Sequence, residues 1–453
     1  MNLKDKKITV VGLGVSGLSA AKLLLRAGAN VSVTDNGNGD NLHKNKKILD
    51  GMGIKKVETG NHTEGFIKGS EMLIVSPGVD TNSLPILWAE KKGIPIIGEI
   101  ELAFSFCKAP IIAITGCNGK TTVTTMTGEL LKAGGIKSYV CGNIGLPFVE
   151  IAMDANAGDV VVLEVSSFQL ARTINFKPKV SVILNVTENH LDKHENLQEY
   201  LDSKLRIFKN QSAGDRTVLN YDDPILKGAG KGLISDVLYF SRFKKVRGAW
   251  TDENAIFLNV DGTKVKICTK GEVSLKGEHN IENIMAAVLL ASCFNVHPNT
   301  MRKIVTNFKG LPHRFEYVGS KDGITFINDS KSTSVGATIR ALESMELPVI
   351  LIAGGRDKGS DFTLIKNLVR EKVKEVVLLG EAGPKIRKAL DGVTGFKNAD
   401  SMDEAVQCAY TSAVRGDCIM LSPMCASFDM FHNFEERGEE FKKSVRRICG
   451  KPE

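Results

Sequence analysis

The stretch Ile114-Thr-Gly-Cys-Asn-Gly-Lys-Thr-Thr122 has the residue types of a phosphate cradle. Backbone N–H groups around Gly116, Asn118 and Gly119 can surround phosphate oxygens. Lys120 would reach the β- and γ-phosphates, Thr121 would offer a hydroxyl to Mg²⁺, and Thr122 would open the helix behind the loop. The match to the standard motif is incomplete, because Ile114 stands where the first glycine belongs. About a hundred residues earlier, Gly12, Gly14 and Gly17 form a second glycine turn, with Asp35 placed 18 residues after Gly17. That spacing is the dinucleotide fingerprint. Its obvious reading is NAD with Asp35 on a ribose hydroxyl, yet the turn itself recognises only a diphosphate. A tight structural turn is the plain alternative.

Three further positions could join the chemistry. Glu164 ends the apolar run DVVVLE, where phosphate-loop proteins place an acidic residue for the metal. His190 and His194 in NVTENHLDKH are four apart, but Leu191 replaces the glutamate that a zinc-protease pattern needs. Close behind the phosphate loop's acidic strand, His190 is instead a candidate for Mg²⁺. Lys204 lies in YLDSKLRIF, where Leu205 and Phe208 mark an expected buried face and a surface helix lysine is the plain reading.

These residues need elements to hold them. KITVVG, NVSVTD, MLIVSPG and IPIIGEI read as short buried strands alternating with helical runs, which predicts a parallel sheet. CKAP is a junction, after which IIAIT, KSYVCG, DVVVLEV and VSVILNV start a second series. Around 235–275 short alternating runs predict an antiparallel flap. GLPHR marks a break before a third series, GITFIND, PVILIAGG, EVVLLG and CIMLSP. The expected fold is α/β in three parts: a Rossmann-like domain over 1–99, a P-loop ATPase-like domain over 100–310, and a second Rossmann-like domain over 311–453.

Composition narrows the class. Apolar residues make up 42% and charged residues 25%, ordinary for a globular chain, and net charge is +7. The short basic run KKSVRR (442–447) reads as a solvated helix end, not a nucleic-acid arm. Nine cysteines without a C-x-x-C suggest free thiols and a reducing compartment. No apolar run approaches the roughly 18 residues of a membrane helix. The expectation is a cytoplasmic protein with a small anionic substrate, no nucleic acid and no membrane insertion.

The set GCNGKTT, EVSSFQL, NVTENHLDKH, YLDSKLRIF, GEHNIENIMAA, GLPHRFE, INDSKSTS, AGGRDKGSDF and SPMCASFDMFHNFEERG resembles the Mur ligases of peptidoglycan synthesis, in family order along nearly the whole chain. SSFQL and SPMCASFD point to the branch that attaches D-glutamate to UDP-N-acetylmuramoyl-L-alanine. The resemblance implies an ATP-dependent ligase, active as a monomer, that works through an acyl phosphate. It implies that the first turn holds the UDP of the sugar substrate, through Val15, Ser16, Asp35, Asn36 and Gly78, with Asn143 and His190 on the same substrate. It implies two Mg²⁺ sites made from Thr121, Glu164, His190 and Lys204, the lysine carbamylated. Asn283, Arg314 and Asp329 would meet ATP; Thr333, Lys358, Ser427, Phe428 and Phe434 would grip D-glutamate. Two departures stand out: Cys117 inside the phosphate loop, and Gly37 where some members carry a basic residue. Other readings are a different Mur-type ligase, a folylpolyglutamate-type ligase, a dehydrogenase, or a nucleotide-binding regulator without catalysis.

Overall fold

A computed structural model describes residues 1–186, 197–275, 277–308, 310, 312–343, 345, 347–357 and 359–450. His190, His194 and Lys358 lie outside the described residues. The chain divides into two compact units, Met1–Phe308 and Lys309–Glu453.

The first unit contains two sheets. One is built from β1 (Lys7–Val11), β2 (Asn30–Asp35), β3 (Val57–Thr59), β4 (Met72–Val75) and β5 (Ile96–Gly98). Its order is β3-β2-β1-β4-β5, and every pairing is parallel. The three-residue β3 escapes a sequence reading, since Val-Glu-Thr is too short to show alternation.

The second sheet has nine strands: β6 (Ile111–Thr115), β7 (Ser138–Gly142), β8 (Val160–Glu164), β9 (Val180–Ile183), β10 (Arg216–Asn220), β11 (Asp236–Ser241), β12 (Gly248–Thr251), β13 (Ala255–Asn259) and β14 (Val265–Thr269). They run in the order β14-β13-β12-β11-β10-β9-β6-β8-β7. The expected antiparallel flap holds for the pairings of β12 to β14 and is corrected for β11 and for the flap's separation from the sheet. β11 pairs parallel with β10 and β12 parallel with β11, and only β13 runs against its neighbours, antiparallel to both β12 and β14. The region extends the sheet edge because Leu238, Phe240, Ala249 and Ile256 are fully covered, joining the core with Val218 of β10.

Buried carboxylates on the helix Glu99–Phe104 tie the two sheets together. Glu99 accepts the Val149 N–H at 2.9 Å, and Glu101 accepts those of Ile174, Asn175 and Phe176 at 2.8–3.0 Å. Apolar residues from both sheets pack in one cluster, Ile8 and Ile74 with Ala113 and Leu163 among them.

The second unit holds β15 (Glu316–Lys321), β16 (Ile324–Asn328), β17 (Val349–Gly354), β18 (Val373–Leu379), β19 (Gly395–Ala399) and β20 (Cys418–Met424), in the order β15-β16-β20-β17-β18-β19. All pairings are parallel except β15 with β16. The run KKSVRR sits inside the helix Phe434–Cys449, where Ser444 and Val445 are buried, so it is only in part a solvated end.

Candidate functional site

The first glycine turn follows β1 directly. Gly12 has φ +93°, and a Cβ on Gly17 would run into the Gly12 carbonyl, so the fold itself demands both glycines. Gly14 is different: a Cβ there meets nothing within 4 Å. Its lack of a side chain keeps space open at the amino end of the helix Val15–Arg26, where N–H groups favour an anion. Asp35 braces the turn. One carboxylate oxygen accepts the Leu13 N–H at 2.6 Å and the other the Gly37 N–H at 2.7 Å. Asn45 donates to the Leu13 carbonyl at 2.8 Å. Val15 is 70% exposed, Asn36 and Gly78 are exposed and Ser16 is half-buried. β1, β2 and β4 are neighbours, so these residues collect beyond the carboxyl ends of adjacent parallel strands, where open α/β sheets bind ligands.

The second turn leaves β6, whose five residues are all buried. Gly119 has φ +81°, and a Cβ there would strike the side chain of Asn283. Asn283 is thereby placed against the loop from the helix Glu278–Ser292, with its amide nitrogen donating to Asn280 at 3.1 Å. The Lys120 ammonium folds over the loop, donating to the carbonyls of Gly116 at 2.8 Å and Cys117 at 2.9 Å. Behind it runs the helix Lys120–Ala133, with Thr121 and Thr122 buried in its first turn. Cys117 is buried and its sulfur lies 3.2 Å from the Tyr200 hydroxyl.

Lys204 is not a surface lysine. Its residue exposure is 1%. Tyr200, Ser203, Lys204 and Ile207 form the covered stripe, at helical spacing, while Leu205 and Phe208 are only partly buried. Its ammonium donates to the Gly116 carbonyl at 3.1 Å, the same oxygen that Lys120 uses, and lies 4.5 Å from the centre of the Tyr200 ring. Burial and the charge of Lys120 bring its pKa down to about 7.

Glu164 ends β8 beside the loop, since Ile114 of β6 is its cross-strand partner. One of its oxygens accepts from Asn143 at 2.8 Å. The other, Oε2, is buried with no hydrogen-bond partner among the described residues. An orphaned buried carboxylate oxygen is costly, and a hard cation is the partner that such an oxygen takes. The donor set of Glu164 and the Thr121 hydroxyl thus fits a divalent cation. Among the described residues no group of three or more His, Cys, Asp or Glu forms a metal cluster. A site completed by substrate phosphates and water, as Mg²⁺ prefers, needs no such cluster.

Sequence reasoning missed Asn185, just beyond β9. Its Oδ1 accepts the N–H groups of Cys117 at 3.0 Å and Asn118 at 2.8 Å, and its Nδ2 donates to the Asn118 carbonyl at 3.3 Å.

In the second unit the structure gathers most of the remaining candidates at the carboxyl ends of β16 and β20. Arg314 sits between His313 and Phe315, both with positive φ, a strained arrangement of the kind found at functional sites. The Phe315 N–H is accepted by Asp329 at 3.1 Å. Asp329 also accepts from Ser332 at 2.5 Å and Ser422 at 3.0 Å, and burial raises its pKa to about 6 against those bonds. Thr333 follows on the same loop. Ser427 is buried, Phe428 is exposed, and Phe434 stacks edge-on with His313 at 6.3 Å between ring centres. Arg437, also missed, is fully covered and joins the two loops, donating to the Ser330 carbonyl at 2.8 Å and the Cys425 carbonyl at 3.1 Å.

Three family models match the chain: the Mur ligase MurD-like N-terminal domain over 6–98, the Mur ligase middle domain over 114–291, and the Mur ligase glutamate ligase domain over 313–425. A UDP-N-acetylmuramoylalanine–D-glutamate ligase from Thermoanaerobacter pseudethanolicus is 42% identical over 99% of this chain and 100% of its own. One of the same name from Koribacter versatilis is 42% identical over 99% of both. Among solved structures, UDP-N-acetylmuramate-alanine ligase from Thermotoga maritima shares the fold with a TM-score of 0.59 at 18% identity, covering 98% of this chain and 99% of its own. A pseudomurein peptide ligase type C from Methanothermus fervidus does so at 0.58 and 21%, covering 98% and 100%.

Proposed function

We propose, for a chain that belongs to the Mur ligase family, an ATP-dependent ligation of D-glutamate to UDP-N-acetylmuramoyl-L-alanine. The observation that carries this reading is the meeting of the Lys120 ammonium, the phosphate loop and the Glu164 carboxylate at the carboxyl ends of β6 and β8. The full-length relatives that bear that activity in their names support the choice of substrates.

The γ-phosphoryl group of ATP passes to an oxygen of the L-alanyl carboxylate. The bond to the β-phosphate oxygen breaks, ADP leaves and an acyl phosphate forms. The D-glutamate amine then attacks the acyl carbon, loses a proton, and inorganic phosphate departs. Little covalent work falls to the protein, which positions the reactants and neutralises charge. Lys120 stabilises the phosphoryl group in flight, and the loop N–H groups hold the phosphates. Thr121 and Glu164 hold Mg²⁺, which supplies charge neutralisation at the phosphates when bound. His190 and Lys204 complete a second metal site in this reading. Asn283, Arg314 and Asp329 orient ATP; Thr333, Lys358, Ser427, Phe428 and Phe434 receive the amino acid.

Residues 1–99 hold the sugar nucleotide, 100–310 the ATP, and 311–453 the amino acid. Gly14 and the bracing of the turn by Asp35 support a diphosphate at the first turn. The reaction belongs in the cytoplasm, with the protein a monomer. No helix of the described residues is long and apolar enough to cross a membrane. ADP release with UDP-N-acetylmuramoyl-L-alanine, tried against a panel of amino acids, tests the reading. Release should depend on D-glutamate; release driven by another amino acid would move the chain to a different ligase, and none with any would support a regulator.

A further inference from the structure

We propose that Asn185 is a positioning residue of the phosphate loop, presenting its carboxamide to the backbone of residues 117 and 118 so that the loop is set for ATP before ATP arrives. This rests on the reading of residues 116–122 as the ATP phosphate loop.

The geometry is specific. A carboxamide has one acceptor oxygen and one donor nitrogen. The loop offers Asn185 two N–H donors, from Cys117 and Asn118, and one carbonyl acceptor, from Asn118. Donors fall on the oxygen and the acceptor on the nitrogen, so the side chain fits in one orientation only. The backbone joins in: the Asn185 carbonyl accepts from Cys117 at 3.1 Å, and the Leu184 N–H donates to the Thr115 carbonyl at 3.0 Å. On its other side the Val186 N–H is held by Asp223 at 3.0 Å. Asn185 is thus clamped from the neighbouring strand end and reaches across to the loop.

The chemistry of a carboxamide suits this place. The loop must be ordered without an anion, since a phosphate has to enter beside it. An aspartate would satisfy the two N–H groups, but it would set a negative charge next to the phosphates and turn an oxygen toward the Asn118 carbonyl. An alanine would leave the Asn118 N–H to water and the Cys117 N–H with only the residue-185 carbonyl, so the loop would be freer, an entropy that ATP binding must then overcome.

The test uses the full chain and direct titration with ATP in the absence of the other substrates. Asn185→Ala should weaken ATP binding about tenfold and Asn185→Asp about a hundredfold, the difference being the added charge. Affinity for UDP-N-acetylmuramoyl-L-alanine should stay within about twofold of wild type in both, an outcome that general loss of structure does not produce. Asn185→Ser, with a shorter acceptor, should fall between wild type and Ala, and it serves if either other variant fails to fold. Lys120→Ala is titrated alongside. If Lys120→Ala weakens ATP binding and the Asn185 series leaves it unchanged, or Asp binds as well as Asn, the positioning role is overturned. If Lys120→Ala also leaves ATP binding unchanged, the loop reading itself falls and the proposal with it.

Discussion

The two glycine turns are built alike and braced differently. Each follows a buried parallel strand, opens a helix and is pinned by a side chain at or just beyond the end of a neighbouring strand: Asp35 accepts the Leu13 N–H of the first turn, and Asn185 accepts those of Cys117 and Asn118 in the second. At the first turn the brace is the carboxylate of Asp35, and residues 12–17 carry no ionisable side chain. At the second the brace is the neutral amide of Asn185, and two ammoniums, Lys120 and Lys204, share one loop carbonyl. Beside them Glu164 keeps an oxygen with no partner among the described residues. A charged brace suits a turn that only binds. A neutral brace with cations and a metal-ready carboxylate suits a turn where phosphoryl charge moves. Under the proposed function, the difference separates a holding site from a reacting one.

The largest expected effect comes from removing the reacting site's charge. Lys120→Ala should lower turnover by about a thousandfold, on the order of 4 kcal/mol of transition-state stabilisation. Binding of the UDP-sugar should be unchanged. Steady-state ADP release checks this, and near-normal turnover would make the two turns equivalent.

Lys204 gives the next effect. An ammonium is a poor metal partner, and carbamylation by CO₂ converts it to two hard oxygens. The amine must be neutral to react, and with its pKa at about 7 a large share is neutral just above that pH. Lys204→Ala should be nearly inactive and regain part of its turnover with added formate or acetate. In wild type, carbon-13 NMR with labelled CO₂ should show a carbamate that fades as pH falls below about 7. Full activity of the variant without any acid would remove Lys204 from the site.

A smaller, selective effect belongs to the holding site. Gly14→Val has room in the fold, because a Cβ there meets nothing. It should weaken UDP-sugar binding at least about tenfold by filling the space kept for the diphosphate, with the melting temperature nearly unchanged. Gly17→Ala, which collides with the Gly12 carbonyl, should instead lower stability.

The smallest effect probes the tie between the two sheets. Burial raises the Glu99 carboxyl to about 7 from 4.5. Between those values the folded chain keeps a proton that the unfolded chain releases, so stability falls as pH rises across the window. Glu99→Gln stays neutral and can still accept from Val149. Its melting temperature should vary less than wild type's between pH 4.5 and 8. Parallel curves would show that Glu99 is not the group responsible.

Much of the two turns was legible in sequence because glycine, lysine and strand-end acid are types with few other uses at those spacings. Asn185 was not, since a carboxamide after an apolar strand looks like any loop residue until the loop it faces is in place. For Lys204 the residues alone offer a surface helix lysine as the plain reading beside the metal role that the resemblance implies, with Leu205 and Phe208 taken as the buried face; the packed helix instead shows Tyr200, Ser203 and Ile207 as its buried companions. Arg437 hid in the charged run NFEERGEEFKK, although that helix buries Arg437, Gly438 and Phe441 along one stripe. The alternation of β11 to β14 suggested a separate flap because period-two patterning does not tell whether a strand extends a sheet or leaves it.

The most direct test of the division between the turns is a crossed titration. Wild type, Gly14→Val and Lys120→Ala are each titrated by calorimetry with UDP-N-acetylmuramoyl-L-alanine, with ATP and with NAD. Gly14→Val should lose the UDP-sugar and keep ATP. Lys120→Ala should keep the UDP-sugar and weaken ATP, and NAD should give no saturable heat with any of the three. Loss of the same nucleotide in both variants, or tight NAD binding abolished by Gly14→Val, would contradict the account.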